Sequence, residues 1–300
     1  MKWFNRLFLL LLALPVLLVI VFWGLKNNFP GDNLADMLEQ QAAGRFGIPL
    51  QVSPVELEWQ GFQIPELVLM RAAGWKFLPR GDLFILENLT FQFLPTLLKR
   101  SIELSSNSHG GDFELKTDLF MEDQISLNFK NIQLKTIPAL SGLSYADVEG
   151  VLGLETTVNN LSALRTGKTS IPEGELKGAL ENVKIRLIGM AMIFPQLDLP
   201  PVEFSSIDFE LSLGPVMQIR KINLKGMLTG MMEGTLRINP KKLEASLLDL
   251  RVQLVPSPEL SSSLGTLAMV LKSYQCGNRI DIQLKGPLNR MPPPKRRPCS

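Results

Sequence analysis

The sequence is poor in the residues on which most enzymes and metal sites depend. Among 300 residues it has one histidine, His109, and two cysteines, Cys276 and Cys299. A zinc site needs several Cys or His ligands, and a Ser-His-Asp triad needs a histidine beside its nucleophile. His109 stands in the turn-like segment SNSHGGD and is expected to be a solvated turn residue. We therefore predict no catalytic, metal-binding or cofactor-binding residues, and no enzymatic activity.

The chain also lacks a strong charge of either sign. Its 31 basic and 29 acidic residues leave a formal net charge of +2, which argues against nucleic acid as a partner. The one basic run, Lys295-Arg296-Arg297, lies in a proline-rich tail at 291–300 that we predict to be disordered. The spacing of Cys276 and Cys299 leaves open whether the two form a disulfide.

One long segment has no charge at all. Leu7–Leu25 comprises 19 uncharged residues, and a helix of that length spans roughly 28 Å, close to the thickness of a bilayer core. No signal-peptidase site follows it, so we predict an uncleaved anchor at 7–25. Lys2 and Arg6 precede the segment and acidic residues follow it, which places 1–6 in the cytoplasm and exports the remainder.

A helix is predicted directly after the anchor, within the juxtamembrane segment 26–48. In Asp32–Phe46, either Asp32 or Asn33 can cap the amino end and Gly47 can end the helix. Its apolar stripe is predicted to consist of Leu34, Met37, Leu38, Ala42 and Phe46. Such a helix can either plug the end of a β core or lie on the membrane surface.

From residue 49 to about 290 the apolar residues alternate with period two. DFELKTDLF, for example, has Phe113, Leu115 and Leu119 on one side and acidic or basic residues on the other. This alternation is typical of half-buried antiparallel strands, and no strand–helix–strand pattern is present. Short helices are expected only near Thr136–Leu143 and Pro258–Ser273, and 162–172 is a candidate seam.

Two or three helices are too few to cover a dozen strands. We therefore predict a mainly β fold in which one large antiparallel sheet buries its apolar face against itself, as a curled half-pipe or as a sandwich. The alternation changes phase at Glu181-Asn182. That change is consistent with a β-bulge inside one strand and equally with a tight turn between two short strands.

The Phe and Met residues of the β region leave two structures open. They either fill a closed sandwich core or line an open apolar groove suited to acyl chains. The residues concerned are Phe84, Phe91, Phe93, Phe113, Phe129, Phe204, Phe209, Met190, Met192, Met217, Met227, Met231 and Met232.

The layout as a whole resembles a known family. An anchor is followed by DNLADMLEQQAAGRFGIPLQVSPVELEW, then by GELKGALENVKIRL, by LKGMLTGMMEGTLRINP and by a closing IDIQLKGPLNRM. In this arrangement the chain resembles the type II secretion system protein N family and, more broadly, the AsmA-like β-groove proteins. The motifs that carry the resemblance are loose alternating patterns with Gly-x-Leu kernels.

The resemblance implies a single-pass inner-membrane protein with a periplasmic β domain. Its first implied function is that of an accessory component of the type II secretion system, acting by contact with the inner-membrane platform or the secretin. The wider AsmA-like relationship implies the alternative, a protein that binds or transfers lipid in an apolar β groove between the two membranes. The family supplies no catalytic residues that could be assigned to this sequence.

Overall fold

The fold is mainly β, as predicted, with a few short helices. The computed structural model describes residues 21–72, 79–93, 101–118, 124–143, 146–159, 173–188, 200–239, 245–263, 272–290 and 292–296. Within these ranges sixteen strands form one antiparallel sheet. The strands are β1 (Leu50–Val52), β2 (Glu56–Glu58), β3 (Gly61–Met70), β4 (Asp82–Gln92), β5 (Ser101–Ser108), β6 (Gly111–Asp118), β7 (Ile125–Gln133), β8 (Ala146–Asn159), β9 (Glu173–Leu187), β10 (Val202–Leu213), β11 (Val216–Gly226), β12 (Leu228–Arg237), β13 (Leu247–Pro256), β14 (Gln275–Cys276), β15 (Arg279–Pro287) and β16 (Lys295–Arg296).

The helical segments lie at the ends and connections of the sheet. Residues 21–27 are helical and precede α1. The named elements are α1 (Gly31–Gln41), a π-helical turn (Ala42–Phe46), a 3-10 turn (Leu134–Thr136), α2 (Pro138–Ser141), α3 (Pro258–Ser263) and a second 3-10 turn (Leu288–Arg290). α2 and α3 fall within the two regions where short helices were expected.

The strands follow one another through the sheet as a meander. From β3 to β12 each strand pairs with the strands before and after it in the chain, and β13 pairs with β12 and β15. β1 and β2 pair with β3 at one end, and β14 and β16 pair with β15 at the other. The candidate seam at 162–172 lies outside the described residues. The strands that flank it, β8 and β9, pair from Ala146↔Leu187 to Asn159↔Glu173.

The register aligns the apolar residues of successive strands on one face. Because side chains alternate along a strand, a partner in register presents its side chain to the same face. One such row runs across nine neighbouring strands, through Phe113, Phe129, Leu154, Gly178, Phe209, Ile222, Met232, Val252 and Ile282. The neighbouring row on the opposite face is polar and includes Glu114, Asn128, Glu155, Lys177, Glu210 and Lys221.

The phase change at Glu181-Asn182 is a bulge, not a turn. β9 is continuous from Glu173 to Leu187, and its register with β8 shifts between Glu149 and Val151. Asn182 has φ +51°, the left-handed conformation that Asn tolerates better than most residues. One extra residue in the strand explains why the apolar side chains change from even to odd positions while staying on the same face.

Related irregularities occur on five successive strands, β7 to β11, and we call this region the crease. It consists of Asn131, Gly150, Asn182, Ser205 and Gly226, of which all but Ser205 have positive φ. Ser205 lies where the β10–β11 register shifts between Phe204 and Ser206. Register shifts in the β7–β8, β8–β9 and β10–β11 pairs mark bulges at three of these places. Bulges bend a strand and increase its twist, so they bend the sheet along the crease.

The bend brings the apolar face together. The apolar neighbours of the crease are deeply buried: Ile132 is 0%, Val183 2% and Phe204 7% exposed. Cα atoms of β10 and β12 come within 8 Å of each other although β11 lies between them. In a flat sheet second-neighbour strands lie about 9.6 Å apart. The apolar neighbours of the crease are buried although no second sheet of described residues faces them, so the apolar face is the concave one and the sheet is curled.

The described β region consists of a single layer of strands. The described strands belong to a single sheet, and no second sheet of described residues faces its apolar side. The half-pipe alternative therefore describes the fold, and the sandwich alternative does not.

The predicted anchor lies mostly outside the described residues. Only its last five positions are described, and they belong to the helical segment 21–27. Among the residues that the structure describes, no helix is both long enough and apolar enough to cross a membrane. Membrane anchoring thus stays a prediction from the sequence.

The helix after the anchor differs from the prediction in its cap and in its buried face. It begins at Gly31 with Pro30 at the N-cap position, and no side chain caps it. Asp32 lies in its first turn, where its charge complements the helix dipole. The buried residues are Gly31, Ala35 and Ala42, because small residues allow close packing on the start of the sheet. Its π-helical continuation ends, as predicted, at Gly47, which has φ +65°.

The predicted apolar stripe is not the buried face of this helix, and part of the tail pairs with the sheet. Met37 and Leu38 of that stripe are 47% and 39% exposed. In the tail, Lys295 and Arg296 form β16 and pair with Gln283 and Ile282. The free edge of β15 supplies backbone partners for these residues, and composition alone does not reveal that edge.

We expect Gly226→Ala to destabilise the fold by about 1–3 kcal/mol, because a residue with a side chain is strained at positive φ. Gly226 has φ +151°, and an added Cβ would lie 2.4 Å from the Glu203 carbonyl oxygen. Urea unfolding measures the change. Gly214→Ala is the matched control, since its Cβ would meet no atom closer than 3.9 Å. Equal stability of the two variants would contradict the role of the crease.

Candidate functional site: an apolar trough

The concave face of β3–β13 and β15 is a trough lined by apolar side chains. Many of the side chains that line it have a solvent exposure between that of a protein core and that of a protein surface. Half-buried members include Leu115, Leu127, Leu154, Leu176, Phe209, Leu211, Ile222, Met232, Leu250 and Leu284. A core of this size is normally covered by a second layer, so this degree of exposure is what distinguishes the trough from an ordinary interior.

Two clusters form the deepest part of the trough, both beside the crease. In the first, Ile132, Leu134 and Ile137 pack against Phe84 and Leu152. In the second, Val183, Phe204 and Leu224 pack against neighbours that include Met232 and Leu254. These clusters provide the packed hydrophobic contacts that hold the bend, and they leave the rows on either side less covered.

The trough brings together many, but not all, of the aromatic and Met residues named from the sequence. The Phe113, Phe129 and Phe209 side chains belong to its central row. Met232 lies in that row too, whereas Met231 is on the opposite face and 38% exposed. Assigning both methionines to one surface was therefore wrong, because adjacent residues of a strand point to opposite faces. Met190 and Met192 lie outside the described residues.

The opposite, convex face is a charged and solvated surface. Lys177 lies 3.6 Å from Glu210, Arg220 lies 3.0 Å from Glu175, and the side chains of all four are at least 39% exposed. Exposed ion pairs of this kind add little stability. Their effect is to make the two faces chemically opposite, with the apolar surface confined to the trough.

One side wall of the trough is joined by side chains instead of by a regular strand ladder. β4 and β5 are paired in register only at Thr90↔Ser105 and Phe91↔Leu104. Farther along, the hydroxyls of Ser106 and Ser108 donate hydrogen bonds to the β4 carbonyls of Glu87 and Ile85. Both serines are nearly completely buried. We call this stretch the β4–β5 junction.

His109 is part of the β4–β5 junction and is not the solvated turn residue that the sequence suggested. It occupies a turn with φ +53°, and its Nε2 accepts a hydrogen bond from the Ile85 amide at 3.2 Å. Its ring lies 4.6 Å from that of Phe84, which belongs to the trough. Burial lowers the pKa of His109, against opposing effects of the Thr136 carbonyl and the Glu87 charge. The neutral imidazole is the form whose ring nitrogen can accept the bond from Ile85.

A buried carboxylate on the convex side of β15 was also not signalled by the sequence. Asp281, whose side chain is 3% exposed, accepts a hydrogen bond from Gln253 at 2.9 Å. Arg251 and Arg279 lie 3.7 and 3.6 Å from the same oxygen. The second oxygen has no hydrogen-bond partner among the described residues. Paired with two cations, this carboxylate joins β13 to β15.

The remaining expectations about chemistry concern metal ions and disulfides. No group of three His, Cys, Asp or Glu side chains within the described ranges is arranged to hold a metal ion. Cys276 is disulfide-bonded, which the sequence had left open, and Cys299 lies outside the described residues.

Comparisons with known proteins do not add to this description. No family model, no curated protein and no solved structure matches the chain.

His109 in the β4–β5 junction should make the free energy of unfolding depend on pH. Since the folded pKa of His109 is lowered, the unfolded chain takes up a proton that the folded chain does not. Stability is then complete above the unfolded pKa of about 6.5 and decreases as the pH falls through the folded value. We expect the urea midpoint to decrease between about pH 7.5 and pH 5.5.

The control for this experiment is His109→Asn. Asn tolerates the left-handed turn but does not titrate, and the chain has no other histidine. The variant should be less stable at pH 7.5, because the bond from Ile85 is lost, and its midpoint should vary less with pH. An unchanged pH dependence in the variant would refute the role of His109.

Proposed function

We propose that this protein binds the acyl chains of lipids along the trough, as a membrane-anchored protein whose β domain lies outside the cytoplasm. The observation that carries the proposal is the apolar row from Phe113 to Ile282, whose members other than Phe113 and Val252 are left half-buried on the concave face of a single-layered sheet. Large exposed apolar patches on soluble domains are usually interaction surfaces.

The dimensions of the trough suit an extended apolar ligand. Twelve strands from β3 to β15 lie side by side along it. At about 4.8 Å per strand they span roughly 50 Å. Acyl chains occupy about 15 Å in each leaflet of a bilayer. The trough is thus several times longer than one lipid tail, and its uniform lining gives no reason for a tail to stop at one place.

The chemistry of the lining also favours tails over head groups. The central row contains only aliphatic, aromatic, Met and Gly residues, and the neighbouring charges lie on the convex face. Burying apolar surface contributes about 25 cal/mol per Å² and does not require a specific geometry. We infer recognition of acyl chains with the head group left in solvent, and hence a broad preference among lipids.

The alternative, a contact role in the type II secretion system, stays a prediction from the family resemblance. Strand addition to a free sheet edge would be its natural mode of recognition. The terminal strands of this sheet are short, however: β1 and β2 have three residues each, and β14 and β16 have two. Short edge strands limit strand addition. The geometry therefore supports the trough more than the edges.

The test uses two adjacent methionines on opposite faces of β12. Met232→Glu places a carboxylate in the trough, whereas Met231→Glu places the same group on the convex face. Desolvating a charge beside an acyl chain costs a few kcal/mol, so we expect bound lipid to decrease at least about 10-fold in the first variant. The second should retain it. Mass spectrometry of lipid extracted from the purified proteins measures both.

Two results would count against lipid binding. One is wild-type protein that contains no lipid and takes up none from vesicles. The other is equal loss in both variants. Circular dichroism confirms that each variant is folded, and Met232→Gln replaces Met232→Glu if the charged variant unfolds.

A further inference from the structure

A cluster of aromatic rings joins the helical segment 21–27 to the first hairpin of the sheet. Phe22 stacks on Trp59 with ring centroids 4.0 Å apart and planes inclined by 14°. Trp59 lies in the turn between β2 and β3, next to Glu58, which forms a 2.9 Å ion pair with Lys26. The hairpin is therefore fixed beside the helical segment by one aromatic contact and one charged contact.

This cluster leaves large apolar side chains exposed. Trp59 is 59% exposed, Trp23 65%, Leu25 58% and Val21 50%. Four such side chains within two adjacent elements form a patch for which a water-exposed position is unfavourable. Val21, Trp23 and Leu25 are the last part of the uncharged run Leu7–Leu25, whereas Trp59 belongs to the β domain. The partner that matches this position is the bilayer in which that run is predicted to lie.

The composition of the patch fits the membrane–water boundary more closely than the bilayer core. Trp is enriched at that boundary because its ring is apolar while its N–H prefers a wet environment. The Lys26–Glu58 pair lies one residue from Trp59, and charges of this kind are accommodated at head-group depth but not among acyl chains. The indole of Trp59 and the charged pair at the hairpin turn are therefore suited to the same depth, that of the lipid head groups.

A chain of rings leads from the hairpin into the trough. Phe62 stacks with Phe91 at 6.2 Å and with Phe29 at 5.4 Å, and it meets Phe93 edge to face at 4.8 Å. Phe62 and Phe91 are in register on β3 and β4, where the trough begins. A cleft of about 300 Å³ lies at this place, lined in part by Trp59, Phe62 and Phe91.

We propose that the β2–β3 hairpin docks on the bilayer through Trp59, so that the β3 end of the trough opens at the membrane surface. The inference rests on the proposed membrane anchoring and goes beyond it by assigning a second contact site, in the β domain itself. Lipid tails then reach the trough over the Phe62–Phe91 surface without crossing water.

The experiment measures the depth of single tryptophans in the full chain reconstituted into phosphatidylcholine vesicles. The Trp59 reporter carries Trp3→Phe, Trp23→Phe and Trp75→Phe, and the Trp23 reporter carries Trp3→Phe, Trp59→Phe and Trp75→Phe. A third protein lacks all four tryptophans and carries Met231→Trp, on the convex face nine strands from β3. Lipids brominated near the head group or near the chain end quench each indole according to its depth.

We expect the Trp59 emission to decrease about two-fold with lipids brominated near the head group and clearly less with lipids brominated near the chain end, as for an interfacial indole. The Met231→Trp reporter should not be quenched. If the Trp59 reporter does not fold, the difference between wild type and its Trp59→Phe variant gives the same signal.

The outcomes separate docking from anchoring. If Trp23 is quenched and Trp59 is not, docking of the hairpin is refuted while the anchor stands. If neither is quenched, both are refuted. If Trp59 alone is quenched, docking is supported and anchoring by the amino-terminal segment is refuted. If the Met231→Trp reporter is quenched as strongly as Trp59, the contact is not specific to the hairpin, which refutes docking.

Discussion

Backbone pairing between strands that are neighbours in the chain is the interaction on which the rest of this structure depends. Each strand from β3 to β12 pairs with the strands directly before and after it, and serine hydroxyls replace part of the ladder between β4 and β5. Because the register is kept from strand to strand, the period-two alternation of each segment adds to that of the next. The result is a sheet with one apolar and one charged face. The alternation along the strands determines which face is apolar, without a second layer.

A sheet of this kind must still protect its apolar face from water, and the crease accomplishes part of this. Asn131, Gly150, Asn182 and Gly226 adopt conformations in which most residues are strained, and the apolar residues beside them are the most buried ones. Bending brings those side chains together at the bottom of the trough. It does not cover the rows farther out, and this remaining exposure is the physical basis for proposing an apolar ligand.

The two ends of the described sheet differ in a way that gives the trough a direction. The β3 end adjoins the exposed aromatic patch and the helical segment 21–27. The β15 end is held by the buried Asp281 with its arginines and by the disulfide of Cys276. Polar contacts and a covalent bond stabilise the second end, whereas apolar rings lie exposed at the first. This asymmetry supports the proposal that lipid tails enter the trough at its β3 end.

The sequence by itself determined the strands, the two chemically distinct faces and the scarcity of enzyme chemistry, because alternation and composition are local properties. It also located the bulge at Glu181-Asn182 without deciding between bulge and turn. Only the tertiary structure decided that the sheet is one open layer, that His109 and the buried serines join β4 to β5, and that Trp59 lies against Phe22. These depend on which strands pair and how far the sheet bends, and residues distant in the chain determine both.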